Sequence, residues 1–219
     1  MATEHPMTIS EIKSQIKQDW SSAAYYARVE ADDSMTVFWG SSSPFREMFN
    51  QIDTTSLLEL ACGHGRHANY VLSNYQVQTL TLADINQSNI DFCKSRLAQY
   101  SGVSCVTNSG NDLKFLKNHS LSGAFCYDAM VHFEYDDVAA YLNEFRRVLS
   151  SGGRALLHHS NNDRQPGNIY SKSIHWRNFM SAPLFSHKAQ RAGLRVIEQR
   201  LLNWGDAENL DCLSLVEAP

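Results

Sequence analysis

Leu57-Leu58-Glu59-Leu60-Ala61-Cys62-Gly63-His64-Gly65-Arg66-His67-Ala68 reads as a buried strand that runs straight into a glycine turn and opens a helix. Gly63 and Gly65 carry no Cβ, so the backbone can take positive φ there and a ligand can approach the main chain closely. The helix that follows presents unpaired N–H groups to that ligand. Such a turn suits a nucleotide-like cofactor. Glu59 stands before the glycines, and a second acid, Asp84, ends the next predicted strand, Val77 to Ala83. Paired carboxylates there suit hydroxyls and a cation rather than a pyrophosphate.

The spacing Gly63-x-Gly65-x-x-Ala68 also satisfies the dinucleotide fingerprint, in which an acidic residue about twenty positions on grips a ribose. Two features favour S-adenosylmethionine over a nicotinamide dinucleotide. Glu59 would repel a pyrophosphate but suits an ammonium or sulfonium region, and Asn111-Asp112-Leu113 follows a third predicted strand, where an aspartate can accept from an adenine amino group. The Tyr-x-x-x-Lys pair expected of a short-chain dehydrogenase is absent.

On these residues the chain resembles a class I S-adenosylmethionine-dependent methyltransferase, and His158-His159-Ser160-Asn161 with Arg177-Asn178-Phe179-Met180-Ser181 resembles a bacterial small-molecule subgroup of that family. Glu59-x-x-x-Gly63-x-Gly65 stands as its first motif, Asp84 as its second, Asp112 as its third, and Cys126 to Phe133 as its fourth. The resemblance implies an α/β fold: a Rossmann-like, doubly wound, mostly parallel seven-stranded sheet with one antiparallel strand and helices on both faces. It places Glu59 and the glycine loop under the methionine moiety of S-adenosylmethionine, whose product is S-adenosylhomocysteine. Asp84 would take the ribose hydroxyls, Ile85 and Leu113 would sandwich the adenine, and Asp112 would meet its amine. Ala61, Arg66, Asn111 and Tyr127 complete the cofactor set. Ala61 departs from the family pattern, replacing a glycine often found in the loop, as does Ser122, where an aspartate often begins the fourth strand.

Size and composition agree. With 219 residues and 43% hydrophobic content, one domain with one sizeable core is expected: a helical, aromatic cap over residues 1–53 and a Rossmann-like catalytic core over 54–219. The net charge of −4 comes without a Lys/Arg run, which argues against a nucleic-acid partner. Five cysteines without CxxC spacing read as buried thiols in a reducing compartment. No leader follows Met1 and no apolar run approaches membrane-spanning length, so a cytoplasmic protein acting on a small molecule, without a membrane partner, is expected. Monomer and homodimer are not distinguished.

Thr8-Ile9-Ser10-Glu11 is a capping box, and Ile9, Ile12, Ile16 and Trp20 follow at helical spacing. Tyr25, Tyr26, Met35, Phe38 and Trp39 then form an aromatic stretch that reads either as packing over the sheet or as a lid. From Ser56 strands and helices alternate, which predicts a parallel sheet covered on both faces. A helix is expected from about Asp136 to Leu149, stopped by Gly152-Gly153, with a strand Arg154 to Leu157 ending in His158-His159. After a long irregular stretch from Asn161 to Ala182, the pattern predicts a short helix from His187 to Ala192 and two strands, Val196 to Leu202 and Leu210 to Val216.

Methyl transfer from a sulfonium requires mainly alignment of a nucleophile with the carbon–sulfur bond. A hydroxyl acceptor also needs a general base, for which histidine is suited by its reference pKa of about 6.5. His132 is the first choice, four residues beyond the fourth strand, with His158 or His159 next. Neighbours in a strand point oppositely, so at most one of that pair faces the pocket. Asp128 would orient a histidine or hold an amine. Tyr26, Trp39, His159, Trp176 and Arg177 are the candidate acceptor contacts. No metal is expected, because adjacent histidines cannot readily share an ion and no H-E-x-x-H motif is present. O-methylation of a small polar acceptor is the favoured reading. N-methylation, a non-catalytic S-adenosylmethionine-binding protein and a nicotinamide-dependent oxidoreductase stand as alternatives.

Overall fold

The computed structural model describes residues 7–31 and 34–219. The first six residues, on which the leaderless expectation rests, lie outside that part. The capping box forms as read: the Thr8 hydroxyl accepts from Glu11 N–H at 3.3 Å, and the Glu11 carboxylate accepts from Thr8 N–H at 2.7 Å. It starts α1 (Ile9–Asp19), whose buried Ile12 and Ile16 pack with Tyr170 in a small satellite cluster rather than on the sheet. Then follow α2 (Ala23–Ala31), α3 (Ser34–Trp39) and α4 (Pro44–Phe49).

The alternating part comprises β1 (Ser56–Leu60), α5 (Arg66–Asn74), β2 (Thr79–Asp84), α6 (Gln87–Arg96), β3 (Val103–Thr107), β4 (Leu121–Cys126), α7 (Tyr135–Val148), β5 (Leu149–Ser160), α8 (Ala182–Arg191), β6 (Arg195–Trp204) and β7 (Ala207–Glu217). The sheet has seven strands in the order β3-β2-β1-β4-β5-β7-β6. All neighbours are parallel except β7, which runs antiparallel to both β5 and β6. β1 is buried on both faces through Leu57, Leu58 and Leu60, the signature of a covered parallel strand. One apolar cluster joins the sheet to α7 and α8; the other joins it to α4, α5 and α6 and takes in Phe38 and Trp39 of α3. The strand order reverses between β1 and β4, so ligand space is expected beyond their carboxyl ends.

Three local expectations are corrected. Gly152-Gly153 does not stop the helix: α7 ends at Val148 and the chain turns directly into β5, with Gly152 (φ +78) lying beside a register shift against β4. β5 runs on to Ser160, so His158 and His159 lie inside it, opposite Leu213 and Cys212 of β7, rather than at its end. The last helix begins at Ala182, because the Ser181 hydroxyl caps Leu184 N–H at 3.3 Å and Pro183 fits the first turn. Between β5 and α8 lie two short 3₁₀ turns, Tyr170–Lys172 and Ile174–Trp176.

Candidate active site

Beyond the ends of β1, β2 and β4 lies a cavity of about 940 Å³ including its mouth, with α1 and α2 across it. Ala61, Gly63, Arg66, Asp84, Ile85 and Tyr127 line it, whereas Gly65 does not. The loop from β1 to α5 is left-handed at Ala61 (φ 56), Gly63 (φ 53) and Gly65 (φ 69). Ala61 thus holds a conformation that suits the glycine usual there, at about 1–2 kcal/mol. Gly63 N–H donates to Asp84 Oδ2 at 2.9 Å, while Asp84 Oδ1 accepts from Asn86 N–H at 2.8 Å and Asn89 Nδ2 at 3.1 Å. Burial raises the Asp84 pKa despite those bonds.

Glu59 lies beneath the loop, not on the cavity wall. Its Oε2 is buried without a hydrogen-bond partner, and burial pushes its pKa up to about 8. An orphaned acidic oxygen beneath that loop fits a ligand carrying positive charge near the loop. Gly110 lines the opposite wall at φ 92; a Cβ there would come within 2.9 Å of Ile85. Gly110 therefore packs directly against Ile85, and a side chain at 110 would displace it.

Asn111, Asp112 and Leu113 do not form the wall there; Asn108 and Gly110 do. Asp112 is drawn outward, where its carboxylate accepts from the Ser109 hydroxyl at 2.9 Å and pairs with Lys114 at 3.3 Å. The Asn111 side chain also turns to Ser109, at 3.1 Å. Leu113 N–H is held by Glu144 at 2.7 Å, which draws its side chain into the core with α7.

The three histidines separate cleanly. His158 accepts from Asp128 N–H on Nδ1 at 3.1 Å and meets Asp211 Oδ2 through Nε2 at 3.0 Å, so neither nitrogen remains for an acceptor. His159 faces the other side of the sheet: it stacks on Phe185 at 3.9 Å and bonds Ser160 O and Ser214 Oγ, each at 2.8 Å. It touches no part of the cavity. His132 lines the cavity, with its ring stacked on Trp20 at 4.7 Å. Its Nδ1 lies 2.6 Å from the Trp176 carbonyl, so Nδ1 carries the proton and Nε2 the lone pair. Burial, and then the Arg177 charge, hold its pKa down to about 3.

Asp128 also lines the cavity, in a left-handed conformation (φ 51), with Arg66 at 3.7 Å and Arg177 at 3.8 Å. Its backbone, not its carboxylate, meets His158. Arg177 is 3% exposed and is engaged by Asp211 through two bonds of 2.9 and 2.7 Å, so it is not an acceptor contact. Trp176 contributes its carbonyl while its ring is 43% exposed and meets Trp20 edge-on at 5.9 Å. Trp39 belongs to the core: it donates to His67 Nδ1 at 3.0 Å and stacks on Tyr70 at 4.6 Å.

Tyr26 lies over the glycine loop, stacked on His64 at 4.1 Å. Its hydroxyl donates to the Trp20 carbonyl at 3.2 Å and accepts from Asn89 at 3.1 Å. The same carbonyl accepts from Asn86 Nδ2 at 3.1 Å. Lys13 of α1 pairs with Asp137 of α7 at 2.8 Å on the cavity wall. Trp20, Lys13, Tyr25, Asn86, Asn108 and Gly110 were not singled out as site residues from the sequence. The clue for Trp20 is its place in the apolar stripe of α1, and that for Tyr25 its place in the aromatic stretch read as a lid; the others have no motif.

The family described as a methyltransferase domain matches residues 57–153. A fatty-acid O-methyltransferase of Mycolicibacterium smegmatis is 27% identical over 75% of this chain and 54% of its own length. A probable phthiotriol/phenolphthiotriol dimycocerosates methyltransferase of Mycobacterium ulcerans is 31% identical over 44% of this chain and 36% of its own. The chain thus spans about half or less of these curated relatives. Among solved structures, the geranyl diphosphate C-methyltransferase of Streptomyces coelicolor, in complex with Mg²⁺, geranyl diphosphate and S-adenosyl-L-homocysteine, superposes with a TM-score of 0.65 at 12% identity, over 80% of this chain and 79% of that one. It shows the shared fold. The family match begins inside β1 and ends inside β5, taking in the strands and the glycine loop that shape the cavity, and over that stretch the chain is similar to methyltransferase domains.

Proposed function

We propose that this protein transfers a methyl group from S-adenosylmethionine to a hydroxyl oxygen of a small acceptor, with His132 taking the proton. The observation that carries this reading is the His132 ring: its Nδ1 is committed to the Trp176 carbonyl, and it lines the same cavity as Gly63 and Asp84. Bound S-adenosylmethionine supplies an activated methyl group on a cationic sulfur. The glycine loop, Asp84 and Arg66 would hold that cofactor, with Ile85 and Gly110 at its ring. His132 stays neutral, and its Nε2 lone pair is available to an acceptor O–H.

Trp20, Tyr25 and Phe133 give the cavity an aromatic wall, which suits an acceptor with an apolar body. The fatty-acid O-methyltransferase relative supports oxygen as the accepting atom. An ammonium acceptor is disfavoured at Asp128, whose carboxylate already faces two guanidinium groups. In this reading residues 1–53 cap a catalytic core over 54–219 as one functional unit.

The test is transfer of a labelled methyl group to a panel of alcohols, phenols, carboxylic acids and amines with matched apolar bodies. Label on hydroxyl compounds is expected, and lost in His132→Gln. Label on amines alone would contradict the proposal, and label on none would favour a cofactor-binding protein without turnover.

A further inference from the structure

The turn that carries Trp176 holds a conformation its sequence does not favour. His175 (φ 46) and Trp176 (φ 59) are consecutive residues in the left-handed region, where bulky side chains are rare. The turn persists because Arg177 anchors it. Its guanidinium lies 4.3 Å over Trp204, donates from Nη1 back to the His175 carbonyl at 3.0 Å, and grips Asp211 of β7 with Nε and Nη2. Asn178 N–H donates to the Val131 carbonyl at 2.9 Å, tying the turn to the residue before His132.

The other side of His132 leads to the same carboxylate. Asp128 is a third left-handed residue, and its N–H is held by His158 Nδ1. The opposite nitrogen of that ring meets Asp211 Oδ2 at 3.0 Å. Two strained turns that flank one ring are thus pinned through two side chains to one fully buried carboxylate.

We propose that Asp211 is the positioning residue of this site: through Arg177 it holds the Trp176 carbonyl on His132 Nδ1, and through His158 it holds the Asp128 turn that leads into His132. The catalytic purpose of this arrangement rests on His132 being the base; the orientation of the ring does not. Asp211 touches neither cofactor nor acceptor and acts only by fixing which nitrogen of His132 carries the proton.

Nitrogen NMR of protein labelled with ¹⁵N-histidine reads this directly, with His132 assigned by its disappearance in His132→Gln. The wild-type ring is expected as a single Nδ1–H tautomer. Asp211→Asn and Arg177→Lys should give mixed tautomers and a methyl-transfer rate lowered about 10²-fold, with cofactor KM unchanged. Thermal unfolding and cofactor titration establish that each variant is folded. His175→Gly, added to Arg177→Lys, should restore the single tautomer, since glycine takes positive φ without an anchor. A single Nδ1–H tautomer in both folded variants would overturn the proposal. Mixed tautomers with an undiminished His132→Gln enzyme would instead overturn the base role and with it the catalytic purpose assigned to Asp211.

Discussion

Gly63 and Tyr26 meet so closely that a Cβ on the glycine would stand 2.5 Å from the tyrosine Cε1. Gly63 also has φ +53, so Gly63→Ala brings backbone strain of about 1–2 kcal/mol together with displacement of the Tyr26 ring. Tyr26 in turn holds Asn89 and the Trp20 carbonyl beside Asp84. Affinity for S-adenosylmethionine should fall at least about tenfold, roughly 1.4 kcal/mol. In a Tyr26→Ala background the same glycine substitution should have a smaller effect, and a double-mutant cycle read by titration calorimetry measures the difference.

His132→Gln should lower kcat by about 10² to 10⁴, the usual range for removing a general base, while cofactor affinity stays within about twofold. Loss of both together would mean that the ring supports the cavity wall. His159→Gln should leave both values unchanged, because His159 lies against Phe185 on the opposite side of the sheet.

Buried groups set opposing pH dependences. Burial holds both His132 and His159 near a pKa of about 3, below the ordinary 6.5, so the stability they contribute is present above pH 6.5 and is lost as pH falls toward 3. Glu59 has the reverse sign. Its pKa is raised from 4.5 to about 8, so its contribution is complete below pH 4.5 and is lost as pH rises through 8. Each group accounts for at most about 1.4 kcal/mol per pH unit. Denaturant unfolding across pH should therefore show His159→Gln flattening the acid limb and Glu59→Gln flattening the stretch between pH 4.5 and 8.

What was legible in the sequence followed from local rules. The glycine loop, the acid ending β2 and the alternation of strand and helix patterns lead to the observed sheet, and the opposition of His158 and His159 follows from strand geometry. The errors arose where tertiary contacts decide. Asp112 matched a motif position, yet Ser109 and Lys114 turn it away, and Glu144 draws Leu113 inward. Gly152-Gly153 looked like a helix stop, but pairing with β4 carries the chain on as a strand. Asp211 sits in an ordinary strand pattern, and only the fold brings it to Arg177 and His158.

The central claim is tested most directly by calorimetric titration of the purified protein with S-adenosylmethionine, S-adenosylhomocysteine and NAD⁺ in parallel. Micromolar binding of the first two, about −8 kcal/mol, and none of the third is the result this account predicts. Binding of NAD⁺ alone would contradict it, and with it the roles given to Glu59, Asp84 and His132.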